Sequence, residues 1–192
     1  MRMIDQKSTE LGGHGLGRVL VVGLGNRFAG DDGVGPAMVP LLREKGLYPS
    51  LVIELPHMDV IEILDEADTI VFVDAVVSGL PPGTVHLIPL PDPEIESRNG
   101  AAFSLHGWGL NEALDLRRSL GLPCPRMFLL GIEIESAEPG TELSDVVRNA
   151  VKVVAESFPL LLKRLQDGTA PRFWPSDALA YEEGDVYVAH QT

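Results

Sequence analysis

The chain has 192 residues, 45% of them hydrophobic and 22% charged, which is the composition of an ordinary globular protein large enough for one domain. Acidic residues outnumber basic residues by 28 to 15, and the formal net charge of -13 argues against nucleic acids and anionic membranes as partners. No segment approaches the roughly 20 apolar residues that span a bilayer, and the single Cys124 cannot form an intramolecular disulfide. These features predict a cytoplasmic protein, and the lack of a coiled-coil pattern favours a monomer.

Apolar, strand-like runs alternate with segments of helical spacing along most of the chain. The predicted strands are 18–23, 51–55, 69–73, 85–88 and 127–132, with the strand at 85–88 expected at the edge of the sheet. One predicted helix begins near Asp31 or Asp32, and the others cover 60–65, 110–120 and 144–165, with Leu110, Leu114 and Leu116 on the buried side of the helix at 110–120. This order predicts a three-layer α/β sandwich with a twisted, mostly parallel sheet of about five strands flanked by helices. The single predicted domain covers 18–167, between a flexible leader at 1–17 and an irregular tail at 168–192.

Three polar residues lie at the end of a predicted strand or in a loop between predicted elements. Asp32 follows the first strand, Asp74 ends the third, and His106 precedes the helix at 110–120. With right-handed connections, the loops at the carboxyl ends of parallel strands form one crevice. Two carboxylates and an imidazole suit a borderline divalent ion such as nickel or zinc, and three protein ligands leave open positions. The sequence therefore predicts a metal site.

Each of these residues also has a structural explanation. Asp31 or Asp32 can cap the following helix, although two adjacent aspartates cannot both be the cap. Asp74 can be a loop residue that bonds its own backbone. His106 can be solvated or structurally bonded, with Ser104 as a helix cap nearby. Only the shared position at strand ends favours the metal site.

A dinucleotide site is the alternative that the first loop raises. Gly23-x-Gly25 resembles the start of a G-x-G-x-x-G fingerprint, but Phe28 stands at the position of the third glycine. Asp31 and Asp32 would also repel a pyrophosphate at the start of the helix. The loop therefore argues against nucleotide binding.

The remaining polar residues carry weaker expectations. Cys124 lies between two prolines with no base placed beside it, and is interpreted as a structural thiol. His57 and His86 are expected at the surface. Glu133 and Glu135 would share one face of an extended strand, where either could line the crevice, with a solvated strand end as the simpler interpretation.

The loop from Gly23 to Gly35 reads Gly-Leu-Gly-Asn-Arg-Phe-Ala-Gly-Asp-Asp-Gly-Val-Gly. It resembles the G-x-G-N-x-x-x-x-D-[DE]-G-x-G signature of the hydrogenase maturation proteases. Segments 71–75, 104–110 and 131–144 resemble that family's third strand, its histidine segment, and its last strand with the following helix entry. The resemblance runs from about residue 18 to residue 165 in the family's order.

The resemblance implies an endopeptidase that removes a short C-terminal peptide from the large-subunit precursor of a nickel–iron hydrogenase after nickel insertion. It implies that Asp32, Asp74 and His106 bind the nickel, which the substrate carries as a recognition element. As a hypothesis, Asp32 also activates the attacking water as a general base. Residues 54–59 depart from the family's Asp-Gly-Gly-Thr-like segment, which bears on the choice of hydrogenase. A non-catalytic nickel-binding maturation factor is the alternative function.

Overall fold

The computed structural model describes residues 17–45, 50–53, 63–90, 110–170 and 172–174. The strands in this part of the chain are β1 (Val19–Leu24), β2 (Ser50–Ile53), β3 (Thr69–Val76), β4 (Val85–Leu90), β5 (Arg126–Glu133) and β6 (Phe173–Trp174). The α-helices labelled here are α1 (Val34–Glu44), α2 (Leu110–Ser119) and α3 (Asp145–Asp167), and a 3-10 turn (Gly30–Gly33) precedes α1. The predicted alternation of strands and helices is confirmed for these elements, whereas the predicted helix at 60–65 lies in part outside the described residues.

The strands form one sheet in the order β2-β1-β3-β5-β4-β6. The neighbours β2, β1, β3 and β5 are parallel, whereas β4 runs antiparallel to both β5 and β6. The chain passes from β1 to β2 on one side and then to β3 on the other side of β1. A crevice is expected where the strand order reverses in this way, outside the carboxyl ends of β1 and β3.

Apolar layers cover both faces of the sheet. The first face carries α1 and α3, whose side chains, Phe158 of α3 among them, pack with alternate residues of the strands, including Val21, Val71 and Val73. The second face carries α2, whose Leu114 packs with the intervening residues, including Leu20, Ile70, Phe72 and Leu129. Because side chains alternate along a strand, Asp74 of β3 lies on the second face together with α2.

Two predicted elements differ from the structure in ways that affect the site. The third strand continues through Asp74 to Val76, so Asp74 lies inside β3 and not at its end. In α2, Leu116 is 48% exposed, and Leu114 and Arg117 are the buried positions among residues 114–119, the part of this helix whose side chains the structure describes. Arg117 fills a position expected for an apolar residue because its guanidinium donates to the carbonyl of Pro123 and to the Asp65 carboxylate.

The segment predicted to be an irregular tail contributes one short strand. Phe173 and Trp174 pair with β4 on the side away from β5, so β4 is not the edge strand that the sequence predicted. Residues 1–16 and 175–192 of the predicted leader and tail lie outside the described residues. In the part of the chain that the structure describes, no helix is both long and apolar enough to cross a membrane.

Candidate active site at the carboxyl ends of β1 and β3

The first loop is folded tightly against the end of β1 because its glycines leave room for backbone contacts. A Cβ atom at Gly23 would lie 2.5 Å from the carbonyl oxygen of Gly35, and one at Gly35 would collide with the backbone of Leu24. Gly25 has φ +108°, and a Cβ atom there would collide with the carbonyl oxygen of Asp32. The start of α1 therefore packs directly on β1, which brings the aspartate pair back over the carboxyl end of that strand.

Asp31 joins the first loop to the segment between β5 and α3. Its carboxylate is 1% exposed. It accepts hydrogen bonds from the backbone N–H groups of Glu135 (3.0 Å), Ser136 (3.3 Å) and Ser144 (2.6 Å), and from the Ser144 hydroxyl (3.0 Å). A buried carboxylate needs such compensation for its lost hydration. Asp31 therefore has a structural role, because it holds the first loop against the segment between β5 and α3.

Asp32 stays partly exposed beside it. Its Oδ2 atom accepts a hydrogen bond of 2.8 Å from the backbone N–H of Asn26, just beyond β1. Neither the 3-10 turn nor α1 has a side-chain cap, and the capping positions are Ala29 and Gly33. The alternative in which one of the two aspartates caps the following helix is therefore wrong for the described helices.

Asp74 lies at the same edge of the sheet, one strand away. It is 2% exposed, and its Oδ1 atom accepts a hydrogen bond of 2.9 Å from the N–H of Ala75. The bond to its own backbone that a loop residue would make is thus present, although the residue lies in a strand. Val73 is in register with Gly23 of β1, and the 3-10 turn that contains Asp32 contacts β3. Both candidate carboxylates are therefore held at the carboxyl ends of neighbouring strands.

His106 lies outside the described residues, as does the rest of segment 101–109. Within the described ranges, no three His, Cys, Asp or Glu side chains are grouped so that they could hold a metal ion. The structure thus brings two of the three predicted ligands to one edge, and the complete set stays a prediction.

A buried pair at this edge was missed by the sequence analysis. Glu133, at the end of β5, is 2% exposed and accepts hydrogen bonds from the N–H and hydroxyl of Ser78 (2.7 and 2.8 Å) and from the N–H of Gly79 (2.8 Å). His86 of β4 is 5% exposed, and its Nε2 lies 3.2 Å from the Glu133 carboxylate. The expectations of a solvated Glu133 and a surface His86 are wrong. The apolar residues on both sides of His86 could have predicted its burial, because such a run is typical of a strand covered on both faces.

The surroundings of His86 act on its charge in opposite directions. Burial lowers the pKa of His86 below its ordinary value of 6.5, while the hydrogen bond to Glu133 and that residue's negative charge act to raise the pKa. Burial is the larger effect, so the imidazole is mainly neutral near pH 7. A neutral imidazole that keeps its hydrogen on Nε2 donates it to the carboxylate.

Comparisons with known proteins identify the relatives of this chain. The family model for HycI, hydrogenase maturation protease, matches residues 56–158. The hydrogenase expression/formation protein HupD of Thiocapsa roseopersicina is 31% identical over 183 residues, covering 86% of this chain and 82% of the relative. The hydrogenase 2 maturation protease of Escherichia coli is 28% identical, covering 81% of this chain and 96% of the relative.

A solved structure has the same fold. The hydrogenase 2 maturation peptidase from Thaumarchaeota archaeon SCGC_AB-539-E09 is 30% identical with a TM-score of 0.57, covering 76% of this chain and 98% of that chain. Fold and comparisons together define the class of this protein as an α/β peptidase. The chain belongs to the hydrogenase maturation protease family and is an endopeptidase of that family.

Proposed function

We propose that this endopeptidase removes the C-terminal peptide of a nickel–iron hydrogenase large-subunit precursor after nickel insertion, and that it contacts the inserted nickel through Asp32, Asp74 and His106. The observation that carries the proposal is the placement of two carboxylates at the carboxyl ends of β1 and β3, where the strand order reverses. Ligands bind at this position in open α/β sheets.

The division of roles within the aspartate pair supports Asp32 as the contact. Asp31 accepts four hydrogen bonds and is buried, so it is committed to the fold. Among the described residues, the Asp32 side chain accepts one hydrogen bond, from Asn26, and it is partly exposed. Carboxylate and imidazole ligands suit nickel, and a three-ligand protein site leaves positions for groups that the substrate brings with its metal.

The course of α2 supports His106 as the third contact. Leu114 packs on the second face, where Asp74 lies, and Arg117 donates to Asp65 near the edge where β3 begins. This favours a course in which α2 begins nearer the opposite edge, where β3 ends. His106 precedes Leu110 by four residues, which can separate their Cα atoms by at most about 14 Å.

In the proposed reaction, water adds to the carbonyl carbon of the scissile bond. Asp32 takes a proton from this water through one carboxylate oxygen and returns it to the leaving amine as the C–N bond breaks. The nickel belongs to the substrate, and contact with it aligns the precursor so that this bond meets the water. Loss of the Asp32 carboxylate then removes both the alignment and the base.

Co-expression with a nickel-loaded precursor tests the proposal, with the precursor mass as the measurement. We expect Asp32→Asn, Asp74→Asn and His106→Gln to slow the loss of the C-terminal peptide by at least about 100-fold. The amide variants keep the side-chain volume and an acceptor oxygen, so the fold should survive. Glu142→Gln is the matched control because the Glu142 side chain is 93% exposed.

Two outcomes would contradict this function. Normal processing by Asp32→Asn would exclude the assigned contact and base, and cutting of a nickel-free precursor at the same rate would exclude nickel recognition. Binding of the precursor without any change in its mass would indicate the alternative function of a non-catalytic maturation factor. The monomeric state and cytoplasmic location stay predictions.

A further inference from the structure

The loop between β3 and β4, residues 77–84, borders the site proposed above. It begins three residues after Asp74, which places its start within about 10 Å of that residue's Cα atom. A standard protein–protein contact covers about 800 Å² per partner, or a circle of about 16 Å radius. A precursor centred on Asp32 and Asp74 therefore has to cover the start of this loop.

Glu133 holds the loop in one conformation. Its carboxylate accepts hydrogen bonds from Ser78 and Gly79. Its backbone carbonyl accepts a hydrogen bond from the N–H of Gly83, and its backbone N–H donates one to the carbonyl of Thr84, both 2.8 Å long. Because the carboxylate is buried, movement of the loop would remove the three hydrogen bonds that it accepts from Ser78 and Gly79 and leave it, among the described residues, with His86 alone, which is costly. The loop is thus fixed from its beginning to its end by one residue of β5.

The fixed loop presents apolar side chains to solvent. Val77 is 56% exposed and Leu80 is 41% exposed. Phe28, in the first loop and four residues before Asp32, is 70% exposed at the same edge. Val146 is also exposed and lies against the loop at Gly83. Exposed apolar side chains on a loop that borders a binding site are typical of a contact surface for another protein.

We infer that Glu133 is a positioning residue, which holds the loop at 77–84 so that Val77 and Leu80 contact an apolar stretch of the precursor next to the cleavage site. This inference rests on the proposed function. Val77 and Leu80 determine affinity for the precursor, and Glu133 acts through them without touching the reacting bond.

Steady-state kinetics with the nickel-loaded precursor test the inference. The double variant Val77→Ser/Leu80→Ser should raise KM about tenfold and leave kcat close to that of the wild type, because apolar contact is lost in ground state and transition state alike. Leu120→Ser/Leu122→Ser is the matched control. These two leucines are equally exposed but follow α2 at the opposite edge, and their replacement should leave KM unchanged.

A double-mutant cycle separates positioning from a general structural role. Glu133→Gln should raise KM in the wild-type background and add little in the Val77→Ser/Leu80→Ser background, because the contacts it positions are already gone. A fully additive effect would assign Glu133 to the fold alone and overturn its positioning role. If Glu133→Gln does not fold, the surface variants still decide whether the loop contacts the precursor.

The two proposals fail in different ways. If Val77→Ser/Leu80→Ser has the same KM as the control variant while the wild type cuts the precursor, this inference is wrong and the proposed function stands. If the wild type leaves the precursor intact, the proposed function is wrong and the inference fails with it.

Discussion

Asp31 and Asp32 are adjacent and chemically identical, yet their surroundings give them different roles. Asp31 is buried under four hydrogen bonds from residues that lie 104 to 113 positions further along the chain. Asp32 is bonded within its own loop, six residues from its partner Asn26, and stays partly exposed. A signature with two acidic positions thus contains one position for the fold and one that remains available to a ligand.

Stability measurements should separate the two aspartates. Asp31→Asn should lower the free energy of unfolding by about 2–3 kcal/mol. The reason is that the NH2 group of the asparagine would face N–H groups whose hydrogen bonds the carboxylate accepts. Asp32→Asn should cost less than about 1 kcal/mol, because Asp32 is partly exposed and its hydrogen bond to Asn26 can be kept by the amide oxygen. Urea denaturation of both variants checks the difference. Equal losses would show that the bonds to Asp31 do not stabilise the fold.

The buried His86 should make stability depend on pH. Burial lowers the pKa of His86 in the folded chain below 6.5, so the unfolded chain binds a proton first when the pH falls. Stability is therefore present above the ordinary pKa and is lost as the pH drops below it. We expect the Tm of the wild type to fall more steeply than that of His86→Gln between about pH 7.5 and about pH 5.5. Parallel curves would contradict this.

At the scale of elements, the contact between β1 and α1 depends on glycine in place of side chains. Gly23 and Gly35 let the strand and the helix meet through their backbones, which fixes where the first loop folds back. Helix propensity alone favours alanine over glycine by about 1 kcal/mol. If alanine in place of one of these glycines lowers the stability, the cause must therefore be the close approach of the two backbones.

Gly35→Ala should destabilise the protein by about 3 kcal/mol, at the upper end of what overpacking costs, because the neighbouring atoms belong to the backbone of Leu24 and cannot move away. Gly121→Ala is the control. It has positive φ but meets no atom within 4 Å, so only about 1 kcal/mol of backbone strain is expected. Thermal or urea unfolding of both variants measures the difference, and a neutral Gly35→Ala would exclude the steric explanation.

Elements were predictable from the sequence where their pattern was local. Apolar runs identified β1, β3 and β5, and helical spacing identified α1 and α3 within a few residues of their ends. The assignment of Leu116 to the buried face of α2 was wrong, because Arg117 is buried instead by bonds to Asp65 and Pro123. Those partners lie outside the helix, so the periodicity of the helix's own sequence could not predict the burial of Arg117.

At the scale of the whole molecule, the strand order gives the site its position. The reversal between β1 and β3 brings together segments that are about 40 residues apart in the chain, with Asp32 in the loop after β1 and Asp74 within β3, near its carboxyl end. The same edge carries Glu133 and the β3–β4 loop. The proposed nickel contact and the proposed precursor surface are therefore continuous.

The sequence by itself determined the fold class, the order of the elements and the candidate ligands Asp32, Asp74 and His106. Periodicity and loop position are local properties, and the Gly23–Gly35 signature can be read directly. Only the tertiary structure decided that Asp31 has the structural role in the aspartate pair, that Asp74 lies within a strand, and that Glu133 is buried against His86, 47 residues away. The physical reason is that burial and hydrogen-bond partners depend on which distant segments pack together, and no local pattern encodes that.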